Sequence, residues 1–312
     1  MRNILITGGA GFIGSSLADK LIQDKNNHVV LVDNLSTGIR DNLPKTGDNW
    51  RFIKCDINHY DDISAVMLAT RFDFVFHYAA VVGVQRTLAN PVKVLADIEG
   101  FKNILSLCKN TNVRRVLFSS SSEVYGEPFE FPQNEQTTPL NSRLPYAVVK
   151  NLGEAFLRSY HKEFGLEFTI FRFFNTYGPK QSADFVVSRF LRQALKNEDV
   201  TIYGDGTQTR TFCFIDDNVE ATINACLSSQ YAGEVINIGS DQETRIVDLA
   251  RLIIEITGSS SKIVHLPPLE DGDMDRRKPD IAKMRQLINR PLRPLREGLQ
   301  KILAGGRAGC HA

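Results

Sequence analysis

An α/β fold built on a doubly wound parallel sheet, with a smaller C-terminal domain, is predicted by three features of the chain. Apolar, β-branched or aromatic runs at residues 3–6, 28–32, 51–53, 74–77, 115–119 and 167–173 alternate with stretches long enough for crossover helices. The first run leads straight into the glycine-rich segment Thr7-Gly8-Gly9-Ala10-Gly11-Phe12-Ile13-Gly14, which opens an amphipathic stretch at 12–23. Beyond residue 175 the rhythm changes to short strands, Gly/Asp turns such as Tyr203-Gly204-Asp205-Gly206, and separated helical patterns at 184–197, 216–228 and 245–258. The expected division is 1–175 for the sheet domain and 176–303 mainly for the second domain. A flexible tail of small residues follows at 304–312.

The glycine segment joins a buried strand to a helix. In such a turn one glycine makes the tight bend and another lets the backbone approach a pyrophosphate. A third, here Gly14, lets helix and strand pack closely, so Gly8, Gly11 and Gly14 are read as cofactor contacts. The helix that follows points its unpaired N–H groups, from Phe12 and Ile13 onward, and its positive dipole end at that phosphate. The second strand ends in Asp33-Asn34, where an acid accepts hydrogen bonds from both adenosine ribose hydroxyls and repels a 2′-phosphate. NAD is therefore expected rather than NADP, in a Rossmann-type domain. The third strand ends in Asp56-Ile57, near the expected adenine, and the fourth leads to Ala79, small enough for a loop to pass close to the cofactor.

With 312 residues and 42% hydrophobic content the chain can bury a large core. A net charge of +1, with both signs interspersed, argues against a nucleic-acid or anionic-membrane footprint. The five cysteines are widely spaced and odd in number, which fits a reducing compartment and neither a disulfide framework nor a zinc site. The six histidines include no His-x-x-x-His pair, so no metal site is expected. No apolar stretch approaches membrane-spanning length, and the cytoplasm is the expected location.

Chemistry enters with Tyr146-Ala147-Val148-Val149-Lys150 at the head of a helical pattern, a spacing that puts the phenol and the ammonium on one helix face. An ammonium beside a phenol is expected to lower the phenol's pKa, preparing it to take a proton from a substrate hydroxyl as hydride leaves the same carbon. Such a pair also occurs on helix surfaces. The serine run Ser119-Ser120-Ser121-Ser122, followed by Glu123, favours the catalytic reading, because carboxyl ends of parallel strands form the ligand crevice.

Together these residues resemble the extended short-chain dehydrogenases/reductases that modify nucleotide-activated sugars. The resemblance spans nearly the whole chain: the glycine segment, Ser121-Ser122-Glu123-Val124-Tyr125-Gly126, Tyr146 with Lys150, and Arg172-Phe173-Phe174-Asn175-Thr176-Tyr177-Gly178-Pro179. It continues through Tyr203-Gly204-Asp205-Gly206-Thr207-Gln208-Thr209-Arg210 and Arg276-Arg277-Lys278-Pro279-Asp280-Ile281. It implies that Tyr146 is the general base, Lys150 its helper and Ser121 the triad's hydroxyl. Ser122, Asn175 and Arg210 would hold the sugar and its nucleotide diphosphate.

The resemblance implies oxidation of a UDP-sugar at C4 by tightly held NAD, a change in the 4-keto intermediate, and return of the hydride. Ser-Ser-Glu at 121–123 and the Arg277-Lys278-Pro279-Asp280-Ile281 segment resemble the UDP-glucuronate decarboxylases, with Arg277 facing the substrate carboxylate. An aspartate typical of 4,6-dehydratases is absent. Two departures are Phe185, where the decarboxylase pattern has arginine, and serine in place of threonine at 121. UDP-hexose or UDP-uronate 4-epimerisation, a UDP-sugar 4,6- or 5,6-dehydratase and a non-catalytic nucleotide sensor are the alternatives. Glu123 also reads as a strand-end residue bonded to the next loop, and Arg277 as a diphosphate contact. The resemblance further implies a homodimer through helices near 92–108 and 146–164.

Overall fold

A computed structural model of the chain describes residues 1–127, 129–268 and 276–305. Most of the expected flexible tail lies outside the described residues. Six strands fall where the apolar runs place them: β1 (Arg2–Thr7), β2 (Asn27–Asp33), β3 (Trp50–Lys54), β4 (Phe74–His77), β5 (Arg115–Ser121) and β6 (Glu167–Phe173). Shorter strands follow: β7 (Thr176–Tyr177), β8 (Val200–Tyr203), β9 (Thr209–Thr211), β10 (Cys213–Phe214), β11 (Glu234–Ile238), β12 (Glu243–Arg245) and β13 (Ile263–Leu266).

The main sheet has seven strands in the order β11-β6-β5-β4-β1-β2-β3, and every pairing within it is parallel. Its strands alternate between two buried faces. Ile4 and Ile6 of β1 join one core with Val29 and Leu31, while Leu5 joins the other with Val30 and Val32. The first core is covered by the helices Phe12–Leu21 and Ile215–Leu227. The second is covered by Tyr60–Ala69, Asp97–Asn110 and Pro145–Phe164. The strand order reverses between β1 and β4, where the loops leaving the two strands part and open a crevice.

The seventh strand, β11, comes from the stretch read as the second domain, yet it completes the edge of the main sheet beside β6. The rest of the 176–303 segment forms three two-stranded pieces: β7 with β10, β9 with β12, and β8 with β13. The helices Val186–Leu195 and Ile246–Thr257 pack together beside them.

Candidate active site

Every predicted site residue except Arg210 lines one cavity of about 440 Å³ at the carboxyl ends of the strands flanking the crevice. Its floor is the glycine turn. A side-chain carbon on Gly14 would stand 2.4 Å from the Gly8 carbonyl oxygen, and one on Gly8 would stand 2.8 Å from the Ala79 nitrogen, so these two positions are closed to any side chain. The first helical hydrogen bond runs from Ser15 N–H to the Gly11 carbonyl at 3.1 Å. The N–H groups of Phe12, Ile13 and Gly14 precede it and have no acceptor within the helix, leaving the donors an anionic diphosphate needs.

Asp33 closes the far end of this turn. One carboxylate oxygen accepts from Ala10 N–H at 3.0 Å, the other from Leu35 N–H at 2.7 Å, and burial raises its pKa against these bonds. Each oxygen keeps acceptor capacity for a ribose hydroxyl. The Asn34 amide donates to Asp56 at 2.9 Å, bringing the ends of β2 and β3 together along the cavity wall that Ile57 also lines. Cys55, on the same wall, has its thiol pushed up by burial to about 12, so it is inert. Donors, acid and tight turn therefore fit NAD.

Tyr146 and Lys150 both open the helix Pro145–Phe164 and both reach the cavity, where Ser121, Ser122 and Glu123 meet them from the end of β5. The expected lowering of the Tyr146 pKa is corrected here. Burial dominates and raises it, Glu123 and Asp97 add to the rise, and only the hydrogen bond with Ser121 opposes. Lys150 is committed elsewhere: its ammonium donates to the Ser119 carbonyl at 2.7 Å and lies 5.7 Å from the centre of the Tyr146 ring. Burial pushes Lys150 down to about 8, against the pull of Asp97.

Glu123 and Arg277 are not the separate groups that the sequence presents. They form one bidentate pair, Nη1 to Oε1 at 2.6 Å and Nη2 to Oε2 at 2.8 Å, with Arg277 only 5% exposed. The segment carrying Arg277 is held on both sides. Gln133 N–H donates to the Lys278 carbonyl at 2.7 Å and Asp280 N–H donates to Gln133 at 2.8 Å. Arg276 and Lys278, which alternate with Arg277 along the segment, turn instead to Glu243, at 2.6 and 3.6 Å. Asn175 lines the cavity and donates to the Thr211 carbonyl at 3.2 Å. Arg210 sits on β9 outside the cavity lining, with Nη1 donating to the Thr209 carbonyl at 2.7 Å.

Residues 4–239 match the model of the NAD dependent epimerase/dehydratase family. The chain belongs to that family. Over 306 residues it is 38% identical to UDP-glucuronic acid decarboxylase 6 of Arabidopsis thaliana, covering 95% of this chain and 86% of that one. The solved UDP-glucose 4-epimerase of Thermotoga maritima superposes with a TM-score of 0.91 at 34% identity, covering 98% of this chain and 99% of that one. The UDP-glucuronic acid 4-epimerase of Bacillus cereus, solved with UDP-glucuronic acid and NAD, does so with a TM-score of 0.88 at 32% identity, over 96% and 97% of the two chains. This family member is an NAD-dependent enzyme with a Rossmann sheet.

Among the described residues no cluster of His, Cys, Asp or Glu could hold a metal ion, and no helix is long and apolar enough to cross a membrane. Asp97 also lines the cavity, and sequence reasoning passed over it. A lone acid at the start of a helix reads as an ordinary dipole-compensating residue, and its hydrogen bond from Val81 N–H and its place in the cavity lining appear only in the fold.

Proposed function

We propose that the protein decarboxylates UDP-glucuronate. The observation that carries this reading is the pairing of Glu123 with the buried Arg277 in the same cavity as Ser121, Tyr146 and Lys150. A C6 carboxylate entering this cavity can exchange with Glu123 for the same bidentate contact with the Arg277 guanidinium. The Arabidopsis relative's name supports it.

When bound, NAD supplies the hydride acceptor at C4 and a cationic ring. Tyr146 takes the proton of the C4 hydroxyl, and Ser121 holds that oxygen in line. Lys150 keeps positive charge close to the phenolate that accepts this proton. With C4 now a ketone, the carbon bearing the carboxylate can release CO₂, because the electron pair left at C5 delocalises onto the ketone oxygen. The enolate oxygen is held by Ser121 and Tyr146, C5 takes a proton from solvent water in place of the lost CO₂, and Tyr146 returns its own proton to the C4 oxygen as the hydride comes back. Net redox is zero.

A second reading is 4-epimerisation of a UDP-uronate. It is favoured by the likeness to the two solved epimerases and by Phe185, an aromatic lining the cavity at the position where the decarboxylase pattern has arginine. Incubation with UDP-glucuronate, UDP-glucose and UDP-N-acetylglucosamine, with products identified by mass and NMR, separates the two. Release of CO₂ and a UDP-pentose from the uronate supports decarboxylation, whereas a UDP-uronate epimer without CO₂ refutes it.

We further propose a cytoplasmic homodimer. Four buried free cysteines support a reducing compartment. The helices Pro91–Leu95 and Pro145–Phe164 pack together and expose Val92, Leu95, Val148 and Leu152, an apolar face suited to a second copy. The division at residue 176 is kept as a functional one, the second part closing over the sugar nucleotide. Arg210 is proposed to contact the diphosphate from β9.

A further inference from the structure

We propose that Glu243 is a positioning residue for the site: by holding Arg276 and Lys278 on one side of their segment, it directs the Arg277 guanidinium between them into the cavity. The consequence for a substrate carboxylate rests on the decarboxylation reading, while the positioning itself is a property of the apoprotein.

Residues 276–278 belong to no helix or strand, and the run leads into a parallel bridge between Pro279 and Gln133. The direction of these side chains is therefore set by their partners. Both neighbours of Arg277 go to the same carboxylate. Arg276 grips Glu243 with Nε to Oε1 at 2.6 Å and Nη2 to Oε2 at 2.7 Å, and Lys278 Nζ lies 3.6 Å from Oε2. The Phe131 ring lies under the Arg276 guanidinium, 4.3 Å away at its centre. In an extended segment successive side chains take opposite faces, so anchoring 276 and 278 on one face turns 277 to the other. There Arg277 is buried and meets Glu123 through two bonds of 2.6 and 2.8 Å.

Glu243 is itself fixed. It lies on β12, which pairs with β9 so that Glu243 stands opposite Thr211 and Thr244 opposite Arg210, and it accepts the Thr209 hydroxyl at 3.3 Å. Arg276 holds its carboxyl below the usual range, so it is ionised at neutral pH. The backbone bonds with Gln133 act at Lys278 and Asp280, on one side of Arg277, and the Arg276 contact acts on the other. Through Glu243 the Arg277 segment is thus tied to the strand that carries Arg210. A single half-exposed ion pair contributes little, but a bidentate fork and two cations on one carboxylate make a network. Removing that anion would free Arg276 and Lys278 to compete with Arg277 for Glu123 or for an incoming anion.

The test reads the Arg277 guanidinium directly. A bidentate pair slows rotation about its Nε–Cζ bond, so ¹⁵N spectra of the apoprotein should resolve Nη signals that a loose guanidinium averages, assigned to Arg277 by their disappearance in Arg277→Lys. Glu243→Gln keeps the side chain's size and an oxygen for Thr209 and removes the charge. The expected result is loss of the resolved Arg277 signals. In NAD-loaded protein carrying Tyr146→Phe to prevent turnover, calorimetry should show UDP-glucuronate binding weakened about fivefold, the upper end for a partly exposed ion pair, with NAD affinity unchanged. Resolved Arg277 signals that persist in folded Glu243→Gln overturn the proposal, and so does an equal loss of NAD affinity. Should that variant fail to fold, Arg276→Gln removes the same contact from a half-exposed side chain and is judged by the same signals. Failure of UDP-glucuronate decarboxylation would leave the Arg277 signals of the apoprotein as they are, so the two readings fail separately.

Discussion

Tyr146 lies in surroundings that oppose its ionisation, with burial, Glu123 and Asp97 all raising its pKa and only Ser121 lowering it. Its basicity is therefore expected to appear only when cationic NAD fills the cavity. Tyr146→Phe should still bind NAD but lose C4 oxidation by about 10²- to 10⁴-fold, the usual contribution of a positioned acid–base group. Single-turnover absorbance of the reduced cofactor measures this, and near-normal reduction would remove Tyr146 from the role. Lys150 sets the alkaline side. It is charged below about 8 and neutral above, so turnover should fall as pH rises through that value.

His77 gives the acid-side prediction at this scale. Its Nδ1 sits 3.0 Å from the Thr7 hydroxyl, which also accepts N–H bonds from Tyr78 and Ala79, so the hydroxyl proton is directed to the imidazole. Burial holds the folded-state pKa at about 3, below the ordinary 6.5. The unfolded chain therefore gains the proton first as pH falls, and stability drops between those values. From linkage the loss is about 2 kcal/mol at pH 5 relative to neutral pH. Denaturant midpoints at the two pH values, compared with His77→Gln, check it; an equal pH dependence in the variant would contradict it. No sequence signal marked this histidine, because its neutrality comes from burial within the folded sheet and from the nearby Lys150.

At the scale of elements, the strands and helices of the sheet were legible because both periodicities were strong, and the glycine turn fixed where the first crossover begins. The buried network behind the site was not. Glu154, on the same helix as Tyr146, receives Arg172 of β6 through Nε at 2.9 Å and Nη2 at 2.8 Å, and accepts the Ser120 hydroxyl at 2.7 Å. Arg172 in turn bonds the Tyr125 hydroxyl, which donates to Asn237 of β11. The resemblance contained Arg172 within a motif but gave it no task. The structure shows it tying the helix that carries Tyr146 to β5 and β6. Arg172→Met should cost about 3 kcal/mol by leaving Glu154 buried with Ser120 and the half-exposed Arg158, and Arg172→Met with Glu154→Leu should recover much of that loss. Chemical denaturation of the single and double variants tests this; equal stability of the single variant and the parent would refute it.

At the scale of the whole molecule, the sheet is completed by a strand that returns from the second part of the chain, so β11 ties the two parts together at the β6 edge. Composition could not announce this, since a short parallel edge strand looks like any other apolar run once the alternating rhythm is lost. The Glu123–Arg277 pair was hidden for a related reason: 154 residues separate its members, and clamps from Gln133 and Glu243 help to hold the second beside the first. For the proposed dimer, Val92→Glu combined with Val148→Glu should convert the assembly to monomers in sedimentation velocity, and an unchanged sedimentation coefficient would place the interface elsewhere.

The central claim is that the cofactor serves as a hydride store within one turnover while C4 is briefly a ketone and the carboxylate is lost. UDP-glucuronate carrying deuterium at C4, supplied with NAD at no more than one equivalent per enzyme, tests it directly. The account predicts many turnovers, CO₂ release and a UDP-pentose that retains deuterium at C4. Loss of the deuterium to solvent, arrest after one turnover with reduced cofactor, or recovery of the uronate with its carboxylate intact would contradict it.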